Sequence, residues 1–169
     1  MKTTEYQGAS SAPVEYTPAT VTRTASGLYT AGPMRLQGYA AVFDQRTDLG
    51  PFFELIKPGA FDGANLADVR FMINHTGLPL GRTTARTLAL GIDGTGLHYT
   101  VNLPDTETAR ELYAAVHRGD VTGSSFGFTI KTEAWDTRQA LRSILEIGQV
   151  FEVSAVAFPA YEGTRVAVV

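Results

Sequence analysis

Between residues 34 and 104 the chain sets short apolar runs between turn residues. MRLQGYAAVFD (34–44), PFFELIKPGAF (51–61), VRFMINH (69–75), RTLALGID (86–93) and GLHYTVNLP (96–104) carry the aromatic and β-branched residues that suit a pleated, half-buried surface. The second reads as a strand followed by a turn or short helix. The third reads as a buried strand ending on a polar pair, and the last two as a hairpin closed by DGTG. The period then changes. In PDTETARELYAAVHRGD (104–120), Ala109, Leu112, Tyr113 and Val116 recur at the i, i+3, i+4, i+7 spacing of one helix face. Pro104 and Asp105 suit its start and Gly119 its end, while His117 and Arg118 complement the negative end of its dipole. Asp105 and Glu107 read as capping carboxylates. Beyond it, FTIKTEAW (128–135) and LRSILEIGQVFEVSAVAF (141–158) return to strand character, the latter as two or more strands with Gly148 at a bulge or bend. Many short strands and one strong helix predict a mostly-β barrel or sandwich with helices packed on it.

Composition narrows this picture. The 169 residues suffice for one domain with a sizeable core, and 44% hydrophobic with 18% charged residues is ordinary for a globular chain. Residues 1–33, rich in Thr, Ser, Ala, Gly and Pro, read as a mobile N-terminal arm, which leaves 34–169 as the folded domain. A net charge of −3 gives no basic face for nucleic acid. No apolar run approaches the roughly 18 residues that span a bilayer, and the N-terminus has no secretory apolar core, so a cytoplasmic protein is expected. With no cysteine, disulfides, thiolate chemistry and Cys-based zinc sites are excluded. No HExxH, phosphate loop or GxGxxG is present, and neither metal nor cofactor is expected.

The remaining chemistry is that of an activated hydroxyl, which needs a base and a group to orient that base. His98 lies mid-strand and His117 at a helix end, and structural roles account for both. His75 ends an apolar strand in FMINHTGLPLGRT, where Gly77, Pro79 and Gly81 predict an irregular loop. It can be a base or a surface histidine. In GDVTGSSFGF (119–128) the serines can be a plain strand start or include a nucleophile. Phe126 and Phe128 alternate toward a core, which puts Ser125 and Gly127 together on the other face and turns Ser124 away from it. Glu152 sits in the apolar run VFEVSAVAFPAY with Ser154 on its face, either pointing outward or buried with a partner. A GxSxG elbow is absent.

LQGYAAVFD, ELIKPGAF, NHTGLPLGRT, GLHYTVNLPDTETARELYAAVHRGDVTGSSFGF and EVSAVAFPAY occur in this order. The series resembles the prohead protease family of tailed bacteriophages, serine peptidases that mature procapsids, over residues 36–169. The resemblance implies an assemblin-like fold, a closed β-barrel flanked by helices. It implies Ser125 as nucleophile, His75 as base and Glu152 as third member. Assemblin itself has a second histidine in the third role, but neither His98 nor His117 falls in the final block. Thr76 departs from the family, which usually has Asp soon after the histidine. Oxyanion donors are sought in the glycine-rich turns beside Ser125 and in YEGTR (161–165) with Arg165. The implied substrates are the scaffolding protein or domain, the major capsid protein and the protease itself. The implied location is inside the assembling procapsid in the host cytoplasm, with self-association and no nucleic acid or membrane partner. The alternative of another class is a catalytically silent barrel that binds scaffold or capsid protein; a third is a purely structural capsid or decoration protein.

Overall fold

The computed structural model describes residues 33–169 and, ahead of them, the backbone of two two-residue strands, β1 (Thr22–Arg23) and β2 (Tyr29–Thr30), paired antiparallel. The arm expected over residues 1–33 otherwise lies outside the described residues. The strands that follow are β3 (Arg35–Val42), β4 (Thr47–Asp48), β5 (Phe53–Ile56), β6 (Arg70–Ile73), β7 (Thr76–Arg82), β8 (Leu88–Ile92) and β9 (Gly96–Asn102). Helix α1 (Glu107–Arg118) leads to β10 (Gly123–Asp136), β11 (Leu141–Val156) and β12 (Arg165–Val168).

Two sheets result. One has the order β12-β3-β9-β8; in the other, β4-β5-β11-β6-β7, strand β10 also pairs with β11. The central strand β11 takes β10 antiparallel on one edge, and β5 then β6, both parallel, on the other. The fold is thus mostly β with one helix among the described residues. The ladders form two open sheets, and neither closes on itself as the expected barrel would.

Alternation supplies the core between them. Leu36, Ala40, Leu97, Tyr99 and Val101 from one sheet meet Phe71, Phe126, Ile144, Val150, Val153 and Ala155 from the other, all 5% exposed or less. Each large side chain so buried contributes about 1.5–3 kcal/mol. Phe126 and Phe128 do share a face, stacked with centroids 4.3 Å apart, and Phe126 also meets Phe61 and Tyr161. Helix α1 adds Ala109, Leu112 and Val116. Its N-cap is Thr106, whose hydroxyl accepts the Ala109 N–H, rather than Pro104 or Asp105; Asp105 instead pairs with Arg110. Gly119 ends the helix at φ 82°, the left-handed cap that favours glycine.

The segment 141–156 is one continuous strand, where the sequence pattern predicted two or more. Four register shifts against β10 account for its broken alternation, and Gly148 is the residue skipped between Gln149 and Ile147, the predicted bulge.

Candidate active site

The site forms where β10, β11 and β6 lie side by side. Ser125 stands opposite Ser154, and Gly127 opposite Glu152. Across the other edge of β11, Ser154 is level with Met72 and Glu152 with Arg70. Partners in register point to one side of a sheet, so Ser125, Gly127, Glu152 and Ser154 share the face turned away from Phe126.

His75 reaches this face from the turn between β6 and β7. Ile73 pairs with Thr76, so Asn74 and His75 are the two central residues of a tight hairpin. Both have positive φ, 46° and 60°, the signature of a type I′ turn. The irregular loop expected here is instead this turn followed by the edge strand β7, which tolerates Pro79 because edge positions can lack an N–H. Left-handed non-glycine residues cost about 1–2 kcal/mol each. Three hydrogen bonds, at about 1 kcal/mol apiece, staple the turn to the end of β11. The Asn74 N–H donates to the Ala155 carbonyl at 3.0 Å, the His75 N–H to Ser154 Oγ at 3.2 Å, and the Ala157 N–H to Asn74 Oδ1 at 3.2 Å.

The turn sets the imidazole on Glu152, with Nδ1 and Oε1 2.6 Å apart. An ionised carboxylate can only accept, so Nδ1 is the donor of this contact and Nε2 is the ring nitrogen turned away from Glu152. Ser154 Oγ donates to the other carboxylate oxygen at 2.5 Å. One small hydroxyl therefore fixes both the Glu152 side chain and the His75 backbone. Glu152 is 12% exposed at its side chain and His75 46%, a shielded carboxylate under an accessible ring. Gly127 gives the carboxylate room: a Cβ there would lie 2.9 Å from Glu152 Oε1.

The two serines divide as their alternation predicts. Ser124 is fully buried on the core side, hydrogen-bonded to Tyr99 Oη at 2.7 Å and donating to the Arg165 carbonyl at 2.8 Å. Burial pushes the Tyr99 phenol pKa well up, so the neutral hydroxyl is a fixed partner. Ser125, 6% exposed, makes no side-chain hydrogen bond among the described residues. Its hydroxyl lies one strand from the Ser154–Glu152–His75 network. Catalytic hydrogen bonds are often completed only with substrate in place.

The other candidates fall elsewhere. His98 packs edge-on to Tyr39, and its ring takes up the space a side chain at Gly91 would need. His117 stays in the last turn of α1. The YEGTR segment meets Ser124 rather than Ser125: Thr164 Oγ1 accepts the Ser124 N–H, and the Arg165 guanidinium lies over the Tyr39 ring at 5.1 Å. Arg165, Tyr39, His98 and Gln37 line a cavity of about 400 Å³ on the outer side of the β12-β3-β9-β8 sheet. None of His75, Ser125 and Glu152 lines it. Ser154 and the Asn74 turn were not singled out as working parts by sequence. The available signals were the shared face of Ser154 with Glu152 and the adjacency of Asn74 to His75.

Comparison with known proteins settles the family. The caudovirus prohead serine protease family matches residues 20–169. The chain belongs to this family. It is 31% identical over 137 residues to the prohead protease of Enterobacteria phage HK97, an alignment that covers 78% of this chain and 58% of that protein. The chain thus spans less than two thirds of the length of that relative. Its fold resembles that of KSHV protease, solved in complex with a hexapeptide phosphonate inhibitor, at TM-score 0.55 and 13% identity, covering 82% of this chain and 65% of the other. At that identity the likeness concerns the fold, and it supplies the assemblin-like neighbour that the sequence resemblance implied.

Proposed function

We propose that the chain is a serine endopeptidase of phage procapsid maturation, with Ser125 as nucleophile, His75 as general base and Glu152 as the group that orients the base. The observation that carries this is the 2.6 Å contact of His75 Nδ1 with Glu152, on the sheet face that also presents Ser125. The carboxylate holds the proton on Nδ1, so Nε2 is the nitrogen free to take the Ser125 proton. As Ser125 Oγ attacks the scissile carbonyl, the imidazole becomes an imidazolium beside Glu152, which stabilises it. The same proton then passes to the leaving amine. Water repeats the sequence on the acyl-enzyme. The developing oxyanion requires N–H donors aimed at it.

Family membership supports the scaffolding protein, the major capsid protein and the chain itself as substrates, inside the assembling procapsid in the host cytoplasm, with the enzyme self-associated. Co-expression with candidate capsid and scaffold proteins, read by intact mass, tests this. Discrete products with the wild type, absent with Ser125→Ala, support the proposal. Scaffold binding without cleavage by the wild type would instead favour a catalytically silent assembly module.

A further inference from the structure

The face that carries Ser125 does not end at Glu152. Arg70 is level with Glu152 on β6, and Arg82 is level with Arg70 on the edge strand β7. Asp68 ties the two guanidinium groups together. Arg82 Nε and Nη2 donate to its carboxylate at 2.6 and 2.9 Å, and Arg70 Nη2 at 3.0 Å. A weaker bond runs from Arg70 Nη1 to the Asp68 carbonyl at 3.3 Å. A guanidinium has five N–H donors. Two bonds from each arginine go to Asp68, so three donors remain on each. Charge is also left over: two cations face one carboxylate, and both Glu152 oxygens are already engaged by His75 and Ser154. The arginine side chains are 38% and 44% exposed, so this surplus is open to a ligand yet held in place. The two arginines hold the Asp68 carboxyl down at about 2, which keeps the clamp charged.

We infer that Arg70 and Arg82 form a subsite for an acidic side chain of the polypeptide substrate, close to the scissile bond. The inference rests on the protease assignment. Ser125, Ser154 and Met72 are level on the adjacent strands β10, β11 and β6, so Arg70 lies two strands across and two residues along from Ser125, with Arg82 one strand further. Two strand spacings are about 9.6 Å and two residues of strand about 6.6 Å, which puts the Arg70 backbone about 12 Å from that of Ser125. An extended substrate crossing toward Arg70 covers about 3.3 Å per residue. With its scissile carbonyl at Ser125, it places a side chain three or four residues away against the guanidinium pair. Aspartate or glutamate there meets donors in the planar geometry that suits a carboxylate.

The test is a digest of a denatured bacterial proteome by the purified full chain, with cleavage positions read by mass spectrometry. The wild type is expected to enrich Asp and Glu about tenfold at one fixed position three or four residues from the cut, the scale of charge-assisted hydrogen bonds. Arg82→Gln is expected to lose the enrichment. Arg70→Glu is expected to shift it toward Lys and Arg, a gain that a merely damaged enzyme cannot show. Wild-type cutting without acidic enrichment, or enrichment unchanged in both variants, overturns the subsite and leaves the protease assignment standing. If the wild type cuts no more than Ser125→Ala, the protease assignment fails and takes the subsite with it.

Discussion

Replacing Glu152 with glutamine keeps the shape of the side chain and removes its charge, so it isolates what the carboxylate does for His75. The ring and carboxylate touch at 2.6 Å. With charge centres about 4 Å apart, their attraction is about 1 kcal/mol in bulk water and about 4 kcal/mol at the dielectric usual near a protein surface. A side chain 12% exposed against one 46% exposed belongs between these limits, nearer the second. The attraction arises only once His75 has taken the Ser125 proton, so its loss falls on kcat, by about fivefold to 10³-fold. An amide brings a second fault. It can turn its NH₂ toward Nδ1, which moves the imidazole proton to Nε2, where it cannot accept from Ser125. Ser154 favours that flip, because its hydroxyl, which donates to the other Glu152 oxygen, keeps an acceptor when the amide oxygen faces it. The two faults together predict a kcat loss of about 10²–10⁴ for Glu152→Gln, with KM little changed. The assay is steady-state cleavage of a peptide spanning a mapped cleavage position, with thermal unfolding alongside to show an intact fold. In the Ser125→Ala background the same substitution is expected to cost nothing further, because residues acting as one unit are not additive. A kcat within about threefold of wild type, or a loss carried wholly by KM, refutes the orienting role.

Three further outcomes follow from the same face and its surroundings. Ser124→Ala leaves the buried Tyr99 hydroxyl without that partner, costing about 1–3 kcal/mol, or roughly 3–9 °C of thermal midpoint, while the folded fraction still cleaves; loss of cleavage by folded protein would contradict the division of labour between the serines. Gly127→Ala puts a Cβ 2.9 Å from Glu152 Oε1 and is expected to push the carboxylate off His75, lowering kcat at least about tenfold with KM little moved, as steady-state kinetics would show. For Asp68, the folded pKa of about 2 lies below the ordinary 3.8, so its ion pairs stabilise the fold above that ordinary value, and the gain fades as pH falls through about 2. Acid-unfolding curves of wild type and Asp68→Asn should therefore differ above about pH 4 and converge toward pH 2.

What could be read from sequence was whatever depended on period. The two-residue repeat in SSFGF assigned Phe126 and Phe128 to the core and Ser125 to the other face, and the cross-strand register bears this out. The i, i+3, i+4, i+7 set located α1 within a residue or two. Strand pairing was not legible, because nothing in a single strand says which edges it will meet. That β11 would carry β5 and β6 in tandem on one edge depends on long-range contacts, as does the level placing of Arg70 beside Glu152. The tight turn at Asn74 and His75 was hidden for a local reason. Neither residue is glycine, and the glycines and proline that follow advertise a loop that β7 does not form.

That hidden turn bears on how a base can work from so exposed a position. A ring 46% open to solvent, on a flexible loop, would sample many orientations. Here two left-handed residues confine the backbone, and hydrogen bonds to Ser154 and Ala155 fix it to the strand that carries Glu152. The orienting carboxylate and the base backbone are thereby both held by Ser154, with Ala155 as a second hold on the turn alone. Ser125 is in register with Ser154. Disturbing the Ser154 hydroxyl should therefore misplace base and carboxylate together. Ser154→Ala is expected to lower kcat without removing any atom from the proton path, and Ser154→Thr, which keeps the hydroxyl, to recover part of it. Equal loss in both variants would assign the effect to packing at this fully buried position instead.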